Sequence, residues 1–413
     1  MPTTGQARLT TAIHCNHLSV QGFISVRTIG LMLVFLLLLP PMSLPVWASA
    51  APAAPSILKH ARRASKPVYG VPTFADSAKD DVVENDDPVV RQAAVKALGR
   101  YNGAVVAIDP TNGRILSIVN QKLAFSTGFK PCSTIKPVIA VAALQEGIVT
   151  RDTLIKVSRR KSLSLKEALA HSNNAYFEEL GRRMGFDVVS DYARKLGLGE
   201  AAGFDISEEQ PGTLPAEPPR RGGVARMSSF GEGIQMTPLQ LGALVSTIAN
   251  RGTLYYLQYP RTEEEKENFE PRVKRSFEFE PMLQDVREGM LAAVDHGTAR
   301  RSYISDDEQA SGKTGSCSDA GSRIGWFVSF ADQINPKIVL VILMRGTSHA
   351  VRGPIAAGIA GSIYRKLNEE QYFARRREEP AVTAPTPVAN RVADPVVDVP
   401  VNPSFQFLQA SAH

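Results

Sequence analysis

Residues 103–119 read GAVVAIDPTNGRILSIV, and this stretch predicts where the sheet of the protein begins. Two apolar runs rich in β-branched residues flank Asn112-Gly113, a dipeptide typical of tight turns, so we expect a β-hairpin. Further strand patterns return only towards the other end of the chain, at 308–314, 324–330 and 337–344. The sheet is therefore expected to draw its strands from both ends of the chain.

Helical patterns fill the space between these strands, and two more flank them. They lie at 86–99, 134–146, 164–184, 187–197, 237–250, 281–295 and about 355–369. This order predicts an α+β fold, in which an antiparallel sheet is assembled from both ends of the chain and a helical subdomain is inserted. The apolar fraction of 43% is sufficient for a sizeable core and excludes global disorder.

The net charge of +6 is carried by the N-terminal segment. Residues 1–75 contain no acidic side chain and six basic ones, namely Arg8, Arg27, Lys59, Arg62, Arg63 and Lys66. The remaining 41 basic residues of the 47 in the chain are balanced by 41 acidic residues. A neutral folded part offers no basic face, so no nucleic-acid partner is expected.

The N-terminus resembles a secretory signal. An uninterrupted apolar run, Gly30–Leu39, follows Arg27, and prolines and the small-residue stretch Ala48-Ser49-Ala50 come after it. The run is shorter than the roughly 20 residues that a membrane-spanning helix needs. We therefore predict a signal peptide over 1–50, with cleavage after Ala50 favoured over a retained N-terminal anchor. The protein is accordingly expected to be exported, to the periplasm or cell envelope.

Composition divides the rest of the chain into three parts. Residues 51–85 are rich in Ala, Pro and Ser and predict a flexible linker. One domain is expected over 86–370. Residues 371–413 are rich in Pro, Val and Ala without a helical period and predict a disordered tail.

Cysteine and histidine usage bounds the metal chemistry. Three cysteines exclude a disulfide-rich scaffold and a four-cysteine zinc site. The seven histidines show no metal-ligand spacing, and His171 is interpreted as a helix-end residue. No metal and no cofactor are expected.

Three short motifs follow one another along the chain: Ser133-Thr-Ile-Lys136, Ser172-Asn-Asn174 and Lys313-Thr-Gly315. A Ser-x-x-Lys pattern alone is weak, because it also occurs at Ser56 and Ser158. Only Ser133 opens an apolar helix, which places Lys136 one turn later on the same side. This is the arrangement that acyl transfer needs, since a serine hydroxyl becomes a good nucleophile only when a base takes its proton. Burial and nearby cations can lower the pKa of a lysine enough for it to be that base.

Taken together, the motifs resemble those of serine β-lactamases and penicillin-binding proteins. Further runs resemble the penicillin-binding protein transpeptidase domain over about 100–370. They are Pro131–Pro137, Glu209-Gln-Pro-Gly-Thr-Leu-Pro, Gly231-Glu-Gly-Ile-Gln-Met-Thr-Pro-Leu-Gln, Ile248-Ala-Asn-Arg-Gly and Trp326-Phe-Val-Ser-Phe. Two positions depart from the family pattern. Cys132 stands where glycine usually precedes the nucleophile, and Ser316 replaces the usual threonine.

The resemblance implies a role for each motif residue. Ser133 would attack the carbonyl of the penultimate D-alanine, Lys136 would act as general base, and Ser172 would pass the proton to the leaving group. Asn174 would hold Lys136 and the substrate amide, and Lys313 would attract the terminal carboxylate. At the third motif, Thr314, Gly315 and Ser316 would bind substrate, with the backbone N–H of Ser316 joining that of Ser133 in an oxyanion hole.

The resemblance also makes a disulfide relevant. Some class A β-lactamases carry one at the positions that match Cys132 and Cys317. If Ser133 and Ser316 share an oxyanion hole, the adjoining cysteines lie close enough for a disulfide. Two free thiols that pack as small apolar groups remain the alternative.

The function implied is an exported serine D,D-transpeptidase that acts on peptidoglycan stem peptides and is acylated by β-lactams. The enzymatic alternatives are a D,D-carboxypeptidase and a β-lactamase. Class A β-lactamases use a glutamate in a Glu-x-x-x-Asn loop, and we expect no such loop here. The non-enzymatic alternative is a β-lactam sensor, or a scaffold in a complex with other cell-wall synthesis proteins.

Overall fold

The computed structural model describes residues 70–84, 86–319 and 321–378. The predicted signal peptide over 1–50, most of the predicted linker and the tail after residue 378 lie outside the described residues. Among the helices that are described, none is long and apolar enough to cross a membrane.

Five of the described strands form one sheet. In chain order the strands are β1 (Gly103–Ile108), β2 (Ile115–Val119), β3 (Ile155–Ser158), β4 (Lys161–Leu163), β5 (Thr253–Tyr255), β6 (Val273–Ser276), β7 (Ala310–Asp319), β8 (Ser322–Ala331) and β9 (Ile338–Gly346). The main sheet has the order β2-β1-β9-β8-β7, and every neighbouring pair is antiparallel. The remaining strands form two small hairpins, β3-β4 and β5-β6. The predicted α+β fold, with a sheet drawn from both chain ends, is confirmed.

Helices cover both faces of the main sheet. They are α1 (Pro88–Leu98), α2 (Gln121–Ala124), α3 (Lys136–Gln145), α4 (Leu165–Ala170), α5 (Asn174–Lys195), α6 (Gly223–Phe230), α7 (Pro238–Ala249), α8 (Glu263–Glu267), α9 (Glu280–Asp295), α10 (Gly353–Glu369) and α11 (Tyr372–Glu378). Short 3₁₀ helices occupy Cys132–Ile135 and Arg300–Ser302. Because side chains alternate across a strand, β1 sends Val105 to one helical layer and Val106 to the other.

The described residues form two separate hydrophobic cores. The smaller core lies between the sheet and the helices α1, α10 and α11, and the larger lies between the sheet and the helical subdomain. Helix α3 runs through the larger core with apolar residues on every side, and all its residues except the last are buried. A helix that is apolar all round belongs in the interior of a protein. This buried helix provides the rigid support for the site described below.

The helical pattern at 164–184 was predicted as one helix, and this prediction is wrong. The chain forms α4, turns at Ser172 and begins again as α5, which continues to Lys195. Asn173 caps α5, its side chain accepting a hydrogen bond from Tyr176 N at 2.9 Å. One helix was predicted because the apolar periodicity continues through this turn. The chain breaks here because serine and asparagine favour helix ends, where their side chains bond to the backbone. The helix predicted at 187–197 is the second half of α5, after a non-helical residue at Gly185.

Two predicted boundaries also need correction. Residues 70–84 were expected in the linker, but Phe74 pairs with Tyr101 and Asp81 accepts hydrogen bonds from two backbone N–H groups, those of Asn120 and Gln121. These contacts are backbone and side-chain hydrogen bonds, which need no periodic apolar residues, so the sequence pattern does not predict them. Residues from 371 onwards were expected to be disordered, but α11 buries Tyr372 and Phe373 in the smaller core. Two aromatic side chains are sufficient to hold a short helix that its composition does not predict.

Candidate active site

The predicted nucleophile lies where the chain enters the buried helix. Ser133 belongs to the 3₁₀ turn that leads directly into α3, and it is 9% exposed. Lys136 is the first residue of α3 and is fully buried. The other Ser-x-x-Lys serines differ: Ser158 is exposed at the end of β3, and Ser56 lies outside the described residues.

The second motif lies in a left-handed turn between α4 and α5. Ser172 has φ of 54°, an unusual value for a residue with a side chain. Its N–H donates to Leu169 O at 3.1 Å, and Asn173 N–H donates to Ala168 O at 2.9 Å. These two bonds form a Schellman motif, in which glycine is the usual left-handed residue. Strained backbone of this kind clusters at functional sites, and here it directs the hydroxyl of Ser172 towards Lys136.

Lys136 Nζ has four oxygen neighbours. It lies 3.1 Å from Ser133 Oγ, 3.1 Å from Ser172 Oγ, 2.7 Å from Ser172 O and 2.7 Å from Asn174 Oδ1. The two carbonyl oxygens can only accept, so they take N–H bonds from the amine. The lone pair of the neutral amine then faces the two hydroxyls, which is the arrangement that a base needs for removing a hydroxyl proton.

Burial and charge favour the neutral form of Lys136. Burial and then the positive charge of Lys313 lower the pKa of Lys136 well below its usual value, and Glu178 opposes them more weakly. The Lys136 nitrogen also lies 5.4 Å from the ring centre of Phe177. The face of that ring attracts an ammonium ion, so the lowered pKa of Lys136 rests on burial and on the charge of Lys313. The site therefore contains a lysine suited to general-base chemistry.

The third motif brings a second buried amine to the same hydroxyl. Lys313, on β7, is fully buried, and its Nζ donates to Thr314 O at 2.8 Å and to Ser172 Oγ at 2.9 Å. Burial lowers the pKa of Lys313 to about 7. Ser172 Oγ therefore lies between two amines and can transfer a proton from one to the other. The three motifs, far apart in sequence, meet at this oxygen.

The hydroxyls of Thr314 and Ser316 have partners within the protein. Thr314 Oγ1 lies 2.7 Å from Oγ1 of Thr298, and Ser316 Oγ accepts from Gly353 N–H at 2.8 Å. A hydroxyl that accepts one bond keeps its own proton for another acceptor. Ser316 therefore retains a donor for a substrate carboxylate. Of Thr298 and Thr314, the one that accepts the bond between them also keeps its proton for another acceptor.

Gly315 is required by close packing. A Cβ atom at this position would lie 3.0 Å from Pro131 O and 3.1 Å from Thr134 Cγ2. These distances are shorter than ordinary van der Waals contact, so a side chain here would push β7 away from the nucleophile turn. The glycine permits the strand and the turn to approach each other.

Cys132 and Cys317 form a disulfide, with their Cα atoms 5.7 Å apart. The bond joins the residue before the nucleophile to β7. Cys132 has φ of 53°, in the left-handed region that favours glycine. The departure from the family's glycine thus keeps a glycine-like backbone while adding a covalent link.

Comparison with known proteins decides the family. The penicillin binding protein transpeptidase domain family matches residues 103–365, which is more than half of the chain. The chain belongs to this family.

Penicillin-binding protein relatives are distant in sequence. Stage V sporulation protein D of Bacillus subtilis (strain 168) is 28% identical over 312 residues, which cover 63% of this chain and 48% of that protein. Peptidoglycan D,D-transpeptidase FtsI of Escherichia coli (strain K12) is 23% identical over 314 residues, covering 65% of this chain and 52% of that one. The chain thus spans about half the length of the curated relatives that it matches.

Solved penicillin-binding protein structures share the fold. The apo transpeptidase domain of Burkholderia pseudomallei penicillin-binding protein 3 has a TM-score of 0.59 at 22% identity, and the match covers 72% of this chain and 95% of that one. PBP2 of Helicobacter pylori, in its complex with MreC, also gives 0.59 at 22% identity, over 68% of this chain and 63% of that one.

Two residues beside the motifs were not predicted from the sequence. Phe177 lies against Lys136 because it is one turn after Asn174 on α5, a spacing that could have indicated it. Thr298 carried no such signal, because it follows α9 in an irregular segment and reaches Thr314 only through the fold.

Proposed function

We propose that this protein is an exported serine D,D-transpeptidase that acts on D-Ala-D-Ala stem peptides of peptidoglycan and is acylated by β-lactams. The observation that carries the proposal is the environment of Lys136. A buried amine of lowered pKa lies 3.1 Å from Ser133 Oγ, which is hydrogen-bonding distance for proton transfer.

The reaction would proceed in two halves. Lys136 takes the proton of Ser133 as its oxygen attacks the carbonyl of the penultimate D-alanine, and the N–H groups of Ser133 and Ser316 stabilise the oxyanion. Each such donor contributes about 3 kcal/mol in other acyl-transfer enzymes. Ser172 then passes the proton to the nitrogen of the terminal D-alanine as the peptide bond breaks. An amine from a second stem peptide then attacks the ester carbonyl, the bond from that carbon to Ser133 Oγ breaks, and a proton from the amine returns to Ser133 Oγ.

The remaining motif residues would hold the substrate. Lys313 places a positive potential near the terminal carboxylate, and the Ser316 hydroxyl donates to it. The Thr314 hydroxyl can donate as well when it accepts the hydrogen bond from Thr298. Asn174 holds Lys136 through its Oδ1 and presents its amide nitrogen to the substrate backbone. Binding of the carboxylate by both a cation and hydroxyl donors explains why a β-lactam, which carries a carboxylate beside its reactive amide, would acylate the same serine.

A β-lactamase requires in addition a group that activates the deacylating water. The Glu-x-x-x-Asn spacing occurs at Glu264 and Asn268, but Glu264 lies in the surface helix α8 rather than in a loop. The Asn268 side chain donates back to Glu264 O at 3.0 Å. This favours a slowly deacylated enzyme. Cell-wall synthesis proteins are proposed as partners, in line with the complex that the Helicobacter pylori relative forms with MreC.

The test is acylation of the full chain by a fluorescent penicillin, followed by intact-mass spectrometry over time. We expect a stable adduct of one equivalent that Ser133→Ala abolishes and Ser158→Ala leaves unchanged. Labelling that survives Ser133→Ala would overturn the proposed nucleophile. Rapid loss of the adduct would indicate a β-lactamase, and absence of any adduct a scaffold.

A further inference from the structure

Outside the catalytic cluster, the described residues contain a group of two histidines and one carboxylate. Glu167 and His171 lie four residues apart at the end of α4, and His296 follows α9. Their nitrogen and oxygen ligand atoms all lie within 4.8 Å of one another. No pattern in the sequence connects His296 to the other two, so the sequence alone does not predict this group.

Two of the distances in this group match the spacing of ligand atoms in a metal site. His171 Nε2 lies 3.4 Å from one carboxylate oxygen of Glu167, and His296 Nε2 lies 3.4 Å from the other. Direct N–H···O bonds are usually shorter, about 2.7–3.2 Å. With metal–ligand bonds of about 2.0–2.2 Å, ligand atoms of a tetrahedral zinc site are about 3.3–3.5 Å apart. The three ligand atoms all lie within 4.8 Å of one another, so small side-chain rotations would be needed to bring them to the spacing of a tetrahedral site.

The backbone holds the ligands together. Thr298 N–H donates to Ala170 O at 3.1 Å, which ties the segment after α9 to the end of α4. Gly297 permits this contact, because a Cβ there would lie 2.1 Å from Ala170 O. The three side chains are 38–47% exposed, so an ion can reach them from solvent. The site is thus preformed in its backbone and open at its surface.

Ligand chemistry selects the ion. Two imidazoles and one carboxylate are the donor set of catalytic zinc sites with three protein ligands and one open position. Imidazole favours zinc, copper and nickel over magnesium and calcium. The charge of Glu167 and the negative end of α9 both favour a cation here. We propose that Glu167, His171 and His296 form a binding site for a zinc-class divalent transition-metal ion beside the active site.

The position of the site defines what the ion would join. His171 precedes Ser172 in the chain, and His296 is two residues before Thr298, the partner of Thr314. A bound ion would therefore cross-link the segments that carry a hydroxyl of the second motif and a partner of the third. Binding to the folded state alone would raise the melting temperature.

The test uses the full chain, produced without a histidine tag and stripped with a chelator. We expect calorimetric titration with Zn²⁺ alone to give one saturable site, and Zn²⁺ to raise the melting temperature. His296→Ala and Glu167→Gln should each weaken binding by more than about ten-fold and abolish the shift. His349→Ala, which removes an exposed histidine outside the group, should change neither.

Co²⁺ provides a second readout, since a tetrahedral nitrogen and oxygen site gives intense visible bands that the variants should lose. Circular dichroism checks that each variant is folded. If a histidine variant does not fold, the conservative Glu167→Gln variant still tests metal binding. The proposal is overturned if the wild-type chain shows no saturable Zn²⁺ binding, or if folded Glu167→Gln and His296→Ala bind as the wild type does.

Discussion

Lys136 and Lys313 share one hydrogen-bond partner, Ser172 Oγ, at 3.1 and 2.9 Å from their respective nitrogens. Two ammonium groups this close would repel each other in a buried site, so the positive charge of one disfavours protonation of the other. The pair therefore acts as a coupled unit in which a proton can be exchanged through a single hydroxyl.

This coupling predicts a shift in the pH dependence of acylation. Acylation by a fluorescent penicillin should rise with pH as Lys136 loses its proton, and fall at higher pH as Lys313, with a pKa of about 7, loses the charge that attracts the carboxylate. Because the charge of Lys313 helps to lower the pKa of Lys136, Lys313→Met should move the rising limb to higher pH as well as slow the reaction. Lys130→Met, which removes a lysine paired with Glu232, should leave the limb in place. Superimposable limbs for Lys313→Met and the wild type would argue against the coupling.

The same lysine predicts how stability depends on pH. In the folded state Lys313 has a pKa of about 7, against an ordinary value of 10.5. Between these values the unfolded chain binds a proton that the folded chain does not, so this contribution to the free energy of unfolding rises with pH and is flat below about 7. The slope should be on the order of 1 kcal/mol per pH unit. Urea unfolding of the wild type and of Lys313→Met at pH 7 and 9 measures this slope. If the difference in free energy of unfolding between the two proteins is the same at both pH values, the burial of Lys313 is contradicted.

The disulfide and the left-handed backbone at Cys132 can be separated by paired variants. Loss of the bond between Cys132 and Cys317, which are 185 residues apart, should cost about 5 kcal/mol in the chain-entropy model. Both Cys132→Ala/Cys317→Ala and Cys132→Gly/Cys317→Ala lose it. The glycine variant should be more stable by about 1 kcal/mol, because glycine adopts φ of 53° without strain. Thermal unfolding compares the two, and an alanine variant at least as stable as the glycine variant would speak against strain at this residue.

Gly315→Ala should impair acylation as well as stability. The new methyl group meets Pro131 O and Thr134 Cγ2, both beside the nucleophile, so β7 must move away from Ser133. Overpacking of this kind costs about 1–3 kcal/mol in stability. We expect the acylation rate to fall at least ten-fold. Gly358→Ala is the matched control, since its Cβ meets only the Arg301 side chain at 3.7 Å. Equal acylation rates for the two variants would remove the proposed role of Gly315.

Two truncations test the end of the domain. A chain that ends after residue 378 keeps α11, whereas one that ends after residue 370 loses Tyr372 and Phe373 from the smaller core. The shorter chain also loses the bond from Tyr372 Oη to Asp87 and the ion pair between Arg376 and Asp109. We expect it to be less stable by about 2–5 kcal/mol, mainly from the two aromatic side chains. Equal melting temperatures would place the boundary at residue 370, as the composition predicts.

The sequence predicted the elements whose pattern is strong. Short apolar runs and turn chemistry were sufficient for β1, β2, β8 and β9, and the fully apolar run was sufficient for α3. The break at Ser172 was missed because apolar residues continue on both sides of it, while the turn depends on one residue in a left-handed conformation. Backbone strain of this kind leaves no mark on hydrophobic periodicity.

The candidate site divides in the same way. Ser133, Lys136, Ser172, Asn174 and Lys313 were found because their motifs are short and local, and the structure brings their side chains together. Thr298 and the group around His296 depend on contacts between α4, α9 and β7. These contacts join residues more than a hundred positions apart or lie in irregular segments, so no spacing rule could have indicated them.

The order β2-β1-β9-β8-β7 has a consequence for the timing of folding. Strand β1 needs β9 as its neighbour, and the two are separated by more than two hundred residues, so the sheet is completed late in any vectorial synthesis or export of the chain. Until β7 arrives, Ser172 Oγ has only one of its two amines and the nucleophile turn lacks its covalent partner. An emerging chain would therefore carry Ser133 in an unreactive form, and reactivity would begin only when the last strands are in place.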